Sequence, residues 1–186
     1  MARLTNTNQH YGAVAIGLHW VMAVLLVVLL VLGIYMSNLP VVGFTKLKLQ
    51  LIFYHKEYGL LALGLAMIRL VWRIGNVLPL LVEGLPDWQK VAARFVHLSL
   101  YALMFALPIS GWLMSSAAGI PVYFFGFRVP DLMAKNEHFF QVLIDVHMWL
   151  GYVLIGLVFL HAAAALRHHI FCRDETLKKM LPGKRE

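Results

Sequence analysis

The chain has 186 residues, 61% of them hydrophobic and only 13% charged, and its formal net charge is +7. A soluble domain carries about twice that share of charge, so a water-soluble fold is excluded and a membrane-embedded one is expected. The basic excess is no nucleic-acid footprint, because Lys and Arg gather at the ends of apolar runs. The single cysteine, Cys172, leaves no internal disulfide, no cysteine-ligated cluster and no Cys-x-x-Cys-His attachment site.

Met1 to Gln9 is polar, and the apolar run behind it is too long for the core of a cleavable signal, so it is expected to remain as the first span. Residues 12–36 form that span, without a charge and with only His19 and Trp20 out of character. Ser37 to Pro40 ends it, and the loop that follows carries Lys46 and Lys48. A second span covers residues 51–74, with His55, Lys56 and Glu57 at its start and Arg69 and Arg73 at its end. Those groups must face the bundle interior or snorkel to the headgroups. Residues 75–89, with Glu83 among prolines and glycines, read as a loop. The third span, residues 91–115, holds Arg94 and His97 in its first turns, and Pro108 is expected to kink it before Gly111. Residues 116–138 form the longest connection, rich in Phe and Tyr, which is expected to lie on the membrane interface and to cover what the bundle holds. The fourth span, residues 139–171, is long enough to protrude, and a basic tail from Arg173 to Arg185 follows, including Pro182 and Lys184.

The fold class is therefore all-α: one four-helix transmembrane bundle over residues 1–186, with both termini on one side. Eleven Lys and Arg fall on that side against five on the other, so both termini are expected in the cytoplasm.

Two imidazoles on the fourth span organise the rest. His147 and His161 stand fourteen residues apart. That spacing is about 21 Å along a helix and returns to within about 40° of the same face. Imidazole in lipid is costly unless its lone pair is consumed, and an axial bond to haem iron consumes it. Two haems need four histidines in two layers. In the outer layer His55 faces His147, and each is followed four residues later by a glycine, Gly59 and Gly151, where a side chain would collide with a flat macrocycle. In the inner layer His161 can pair with His19 or His97. His19 is preferred, because its span offers no other polar group, while His97 has Arg94 and Ser99 nearby and suits a propionate or quinone contact. Arg69 follows His55 by the same fourteen residues, which puts a guanidinium in the inner layer for a propionate or a polar headgroup. His168 lies two turns below His161, placed to deliver protons between the cytoplasm and the inner site. Lys46, Lys48 and Lys56 flank His55 and could guide an anion to the outer layer.

With these residues in place, the chain resembles the bacterial cytochrome b561 family, four-helix dihaem membrane cytochromes that include superoxide oxidase. The resemblance rests on Leu18-His19-Trp20, His55 with Gly59 and Arg69, His97 to Tyr101 with Ala106-Leu107-Pro108, His147 with Gly151-Tyr152, His161 to Ala165, and His168-His169. It implies two b-type haems, His19 with His161 and His55 with His147, and a quinone near the inner haem. It also implies a multi-pass protein of the bacterial inner membrane. The expected activity is that of a superoxide:quinone oxidoreductase, passing electrons from periplasmic superoxide to ubiquinone. An electron-transfer subunit linking quinol to a partner dehydrogenase or hydrogenase uses the same ligands, and a non-redox scaffold does not need layered histidines. The partners on the first reading are two small substrates and the lipid bilayer, with no nucleic acid.

Overall fold

The computed structural model describes residues 3–39, 46–80, 82 and 84–181; Pro40, Glu83, Pro182, Lys184 and Arg185 lie outside the described residues. Four helices carry the fold: α1 (Ala13–Ser37), α2 (Lys46–Ile74), α3 (Asp87–Ala118) and α4 (Glu137–Arg167), the last running on into a π-helical turn, His168–Cys172. Their apolar stretches of 25, 29, 32 and 36 residues correspond to roughly 38–54 Å of rise, enough to cross a hydrocarbon layer about 30 Å thick. With every backbone group satisfied inside a helix, the four apolar runs form a four-helix transmembrane bundle.

Helix ends are set by local chemistry. Asn136 caps α4, its side chain accepting from Phe139 N at 3.1 Å, and Gly119 ends α3 in the left-handed conformation at φ 72°. The lysines assigned to the loop before the second span are instead helical, because α2 begins at Lys46. Lys and Gln are good helix formers, and an apolar run marks only the part of a helix that lies in lipid. For the same reason α3 starts at Asp87 and not at the first apolar residue.

The long connection after α3 also holds regular structure, a departure from an all-helical chain. Strands β1 (Val122–Phe124) and β2 (Phe127–Val129) pair antiparallel around Phe125 and Gly126, at φ 46° and 88°. The hairpin is tied to α2: Glu57 Oε1 accepts from Phe125 N at 2.6 Å, and the Tyr58 and Phe125 rings meet edge to face at 6.2 Å. It therefore sits over the turn of α2 that carries His55, at the end of the bundle away from the termini.

Packing follows chain order, α1 on α2, α2 on α3 and α3 on α4, whereas α4 makes no comparable backbone contact with α1 or α2. The buried cluster of Met22, Ala66 and Met104 joins the first three helices. At the terminal end the chain is stitched to itself. Leu80 N donates to Asn8 O (2.9 Å), Asn6 Nδ2 to Val77 O (2.9 Å), Lys179 Nζ to Leu80 O (2.8 Å) and Trp20 Nε1 to Met180 O (2.7 Å).

Candidate functional site

Side chains from α4 reach those of α1 and α2, helices its backbone approaches less than it does α3. The His55 and His147 rings face each other with centres 6.2 Å apart, and those of His19 and His161 stand 6.1 Å apart. The first pair lies at the far end and the second at the terminal end, about 21 Å apart along α4. Two imidazoles sharing one metal have centres roughly 6.2 Å apart, from bonds of about 2.0 Å to nitrogen and rings about 1.1 Å in radius. Both pairs match that separation. His97 also borders His161, at 5.4 Å, closer than the separation of two imidazoles on opposite sides of one iron.

The far-end pair is prepared further by α3. Ser110 Oγ donates to Leu107 O at 2.7 Å and lies 2.9 Å from His147 Nδ1. Its one proton being committed to Leu107, the serine can only accept from the imidazole, so His147 carries its proton on Nδ1 and keeps the Nε2 lone pair free. Gly111 completes the cradle, since a Cβ there would stand 3.0 Å from His147 Cε1. Among the described residues His55 Nδ1 is buried without a hydrogen-bond partner, a costly state that leaves this imidazole unsatisfied by the protein. At Gly59 and Gly151 an added Cβ would meet no protein atom, so helix packing does not require those glycines. The donor set and its spacing fit a haem iron at this level.

At the terminal end the partners differ. Arg69 Nη2 lies 3.1 Å from His19 Nδ1 and Nε donates to Tyr101 Oη at 3.2 Å. A guanidinium only donates, so this contact uses the Nδ1 lone pair and leaves the imidazole proton on Nε2. An iron held by Nε2 of a neutral ring would require the proton on Nδ1, so the Arg69 contact and iron ligation through Nε2 would exclude each other. Arg69 and Arg73 both stack on the Tyr101 ring, at 5.6 and 5.3 Å, which leaves Arg69 a place to go. Beside them burial raises the pKa of the Tyr11 hydroxyl, against the pull of Arg73 and Arg69.

His168 is held by Asp174, which belongs to the tail stretch Asp174-Glu-Thr176-Leu177 that also resembles the family, though the sequence alone assigns it no role. Its Nδ1 lies 2.6 Å from Asp174 Oδ2, while Thr176 N donates to Asp174 Oδ1 at 2.9 Å. Burial alone would raise the Asp174 pKa, but hydrogen bonds from Thr176 and His168 outweigh it and hold the carboxyl below the usual range.

The three lysines proposed to guide an anion separate. Lys46 is exposed, Lys48 is buried with Nζ donating to Leu39 O at 2.7 Å, and Lys56 points inward to Ser115 Oγ at 2.7 Å. Ser110, Gly111 and Asp174 were invisible to spacing arguments. Ser110 meets a ring 37 residues away, and the turn that returns Asp174 to His168 has no sequence period.

The profile of the prokaryotic cytochrome b561 family matches residues 10–183. The chain is 35% identical over 179 residues to the Escherichia coli (strain K12) protein named cytochrome b561 homolog 2, covering 95% of this chain and 94% of that one. It is 31% identical over 180 residues to a Yersinia pestis protein named probable superoxide oxidase CybB, covering 96% and 99%.

Proposed function

The chain belongs to the prokaryotic cytochrome b561 family, and from that premise we propose that it carries two b-type haems and oxidises superoxide with a quinone as acceptor. The family makes it a multi-pass membrane cytochrome b, an electron-transfer protein that binds b-type haem. The observation that carries the two-haem reading is the pair of imidazole couples, at 6.2 and 6.1 Å, sharing α4.

His55 and His147 hold one haem, and His19 and His161 the other. Haem held by these residues would supply the one-electron chemistry that the side chains cannot. The balance is two superoxide anions and one quinone, with two protons, giving two dioxygen molecules and one quinol. The chain's own residues then have four tasks. Ser110 and Gly111 fix the His147 ring. Arg69, released from His19 Nδ1, neutralises a propionate or a headgroup beside Tyr101. His97 borders the terminal-end pair without joining it, and suits a quinone contact. His168, oriented by Asp174, passes protons to the quinone oxygens.

Direction follows from charge. Lys and Arg crowd the terminal end, which supports a cytoplasmic location for both termini in the bacterial inner membrane and a periplasmic mouth beside His55. Among the described residues, exposed Lys46 is placed to attract an anion there, with Lys56 adding positive potential from inside. The name of the Yersinia pestis relative supports superoxide as the donor. The test is stopped-flow: superoxide is added to the purified, oxidised protein and haem absorbance followed, then ubiquinone is added. Rapid reduction and reoxidation are expected. Reduction by quinol but not by superoxide would make the chain instead an electron-transfer subunit for a partner dehydrogenase or hydrogenase.

A further inference from the structure

We propose that His168, Cys172 and Asp174 form a binding site for a divalent metal ion of the zinc class, where α4 leaves the bundle at its terminal end. The proposal goes beyond the haem chemistry and does not depend on it. Each of the three side chains offers one donor atom, and the three atoms lie within 4.8 Å of one another.

The backbone brings them together in two steps. The π-helical turn His168–Cys172 sets the thiol four residues after the imidazole, on the same side of the turn. Arg173 then takes the left-handed conformation, φ 53° and ψ 34°, and folds the chain back so that Asp174 N donates to His168 O at 3.3 Å. Thr176 N holds one carboxylate oxygen of Asp174, which aims the other at His168. The imidazole and carboxylate are mostly covered, with side chains 15% and 16% exposed, and the Cys172 thiol is open to the outside. The cluster is thus preformed on one side and accessible on the other.

The donor set selects the ion. Nitrogen, sulfur and oxygen together suit a borderline cation such as Zn²⁺, whereas Mg²⁺ and Ca²⁺ take oxygen shells and Cu⁺ favours sulfur. Tetrahedral zinc places such donors roughly 3.3–3.6 Å apart. The imidazole and carboxylate, now 2.6 Å apart, need to open by about 0.7 Å, and the thiol, within 4.8 Å of both, needs to close by at most about 1.3 Å. The ion displaces the proton between His168 Nδ1 and Asp174 Oδ2 and the thiol proton, and a fourth position stays open to water. Because the ring of His168 is then fixed on metal, occupancy also removes it from proton delivery.

The test uses Co²⁺ as a spectroscopic substitute for Zn²⁺, added to the purified haem-loaded protein, with difference spectra taken against the metal-free sample. One Co²⁺ per chain is expected, with tetrahedral ligand-field bands and a sulfur-to-cobalt charge-transfer band that zinc abolishes. Cys172→Ser should remove the charge-transfer band, and Cys172→Ser and Asp174→Asn should each lower zinc affinity by about tenfold or more. Binding with identical spectra in the unmodified protein and Cys172→Ser, or affinity unchanged by both substitutions, would overturn the site. Zinc should also slow quinone reoxidation in the unmodified protein and not in Cys172→Ser. If the cobalt spectrum appears without that slowing, the metal site stands and the proton role of His168 falls.

Discussion

At the scale of single residues, the far-end pair turns on one proton. Ser110 fixes the His147 tautomer because its own proton is spent on Leu107. Ser110→Ala should therefore leave both haems in place but lower far-end haem affinity by about tenfold, the usual size of a lost outer-shell partner. Haem transfer to an apo-acceptor protein measures this. Gly111→Ala adds a Cβ 3.0 Å from His147 Cε1, so the ring must shift by a few tenths of an ångström. A changed low-spin electron paramagnetic resonance signal of one haem, the other unaltered, is the expected result. His147→Ala should reduce the pyridine haemochrome count from two to one. For the terminal-end pair, His97→Ala should keep two haems and weaken the quinone reaction, while His19→Ala should lose one. The opposite outcome would transfer the ligand role to His97, whose ring stands 5.4 Å from His161.

At the scale of elements, the four spans were legible because lipid leaves no alternative to a helix for an apolar run. What hydropathy could not show is where helices continue into water, hence α2 beginning at Lys46. The layered histidines were legible from helical spacing alone, but the groups that tune them were not, because Ser110 and Gly111 reach His147 from another helix. The hairpin was hidden for a different reason. A two-residue turn with both φ angles positive normally announces itself as Asn-Gly, and here the first position is Phe125. A bulky residue held at φ 46° carries strain, so Phe125→Asn should tighten the turn itself by about 1 kcal/mol while giving up the edge-to-face contact with Tyr58 that holds the hairpin to α2. Slower amide exchange at Phe124 and Phe127 would register the tighter turn. Glu57→Gln removes the charge from the acceptor of Phe125 N, and exchange at that amide should quicken by about fivefold, the equivalent of about 1 kcal/mol.

At the scale of the molecule, charge and topology make separate predictions. Lys46→Gln should slow haem reduction by superoxide at low salt and flatten its ionic-strength dependence, because screening acts over about 10 Å at 0.1 M. A neutral reductant should react at an unchanged rate. Lys48→Gln should instead loosen the junction of α1 and α2, because its ammonium is bound to Leu39 O. It should slow both reductants alike if it disturbs the mouth at all. Cys172 gives a direct measure of sidedness: in intact cells the exposed thiol should resist a membrane-impermeant maleimide and react after permeabilisation. The position of α4 has a further bearing on how the protein is made. It supplies one imidazole to each couple and it is the last of the four spans in chain order. Three inserted helices hold His19 and His55 with no opposite ligand. On the two-haem proposal, cofactor capture at both sites must wait for α4, and nascent chains arrested before α4 should emerge colourless.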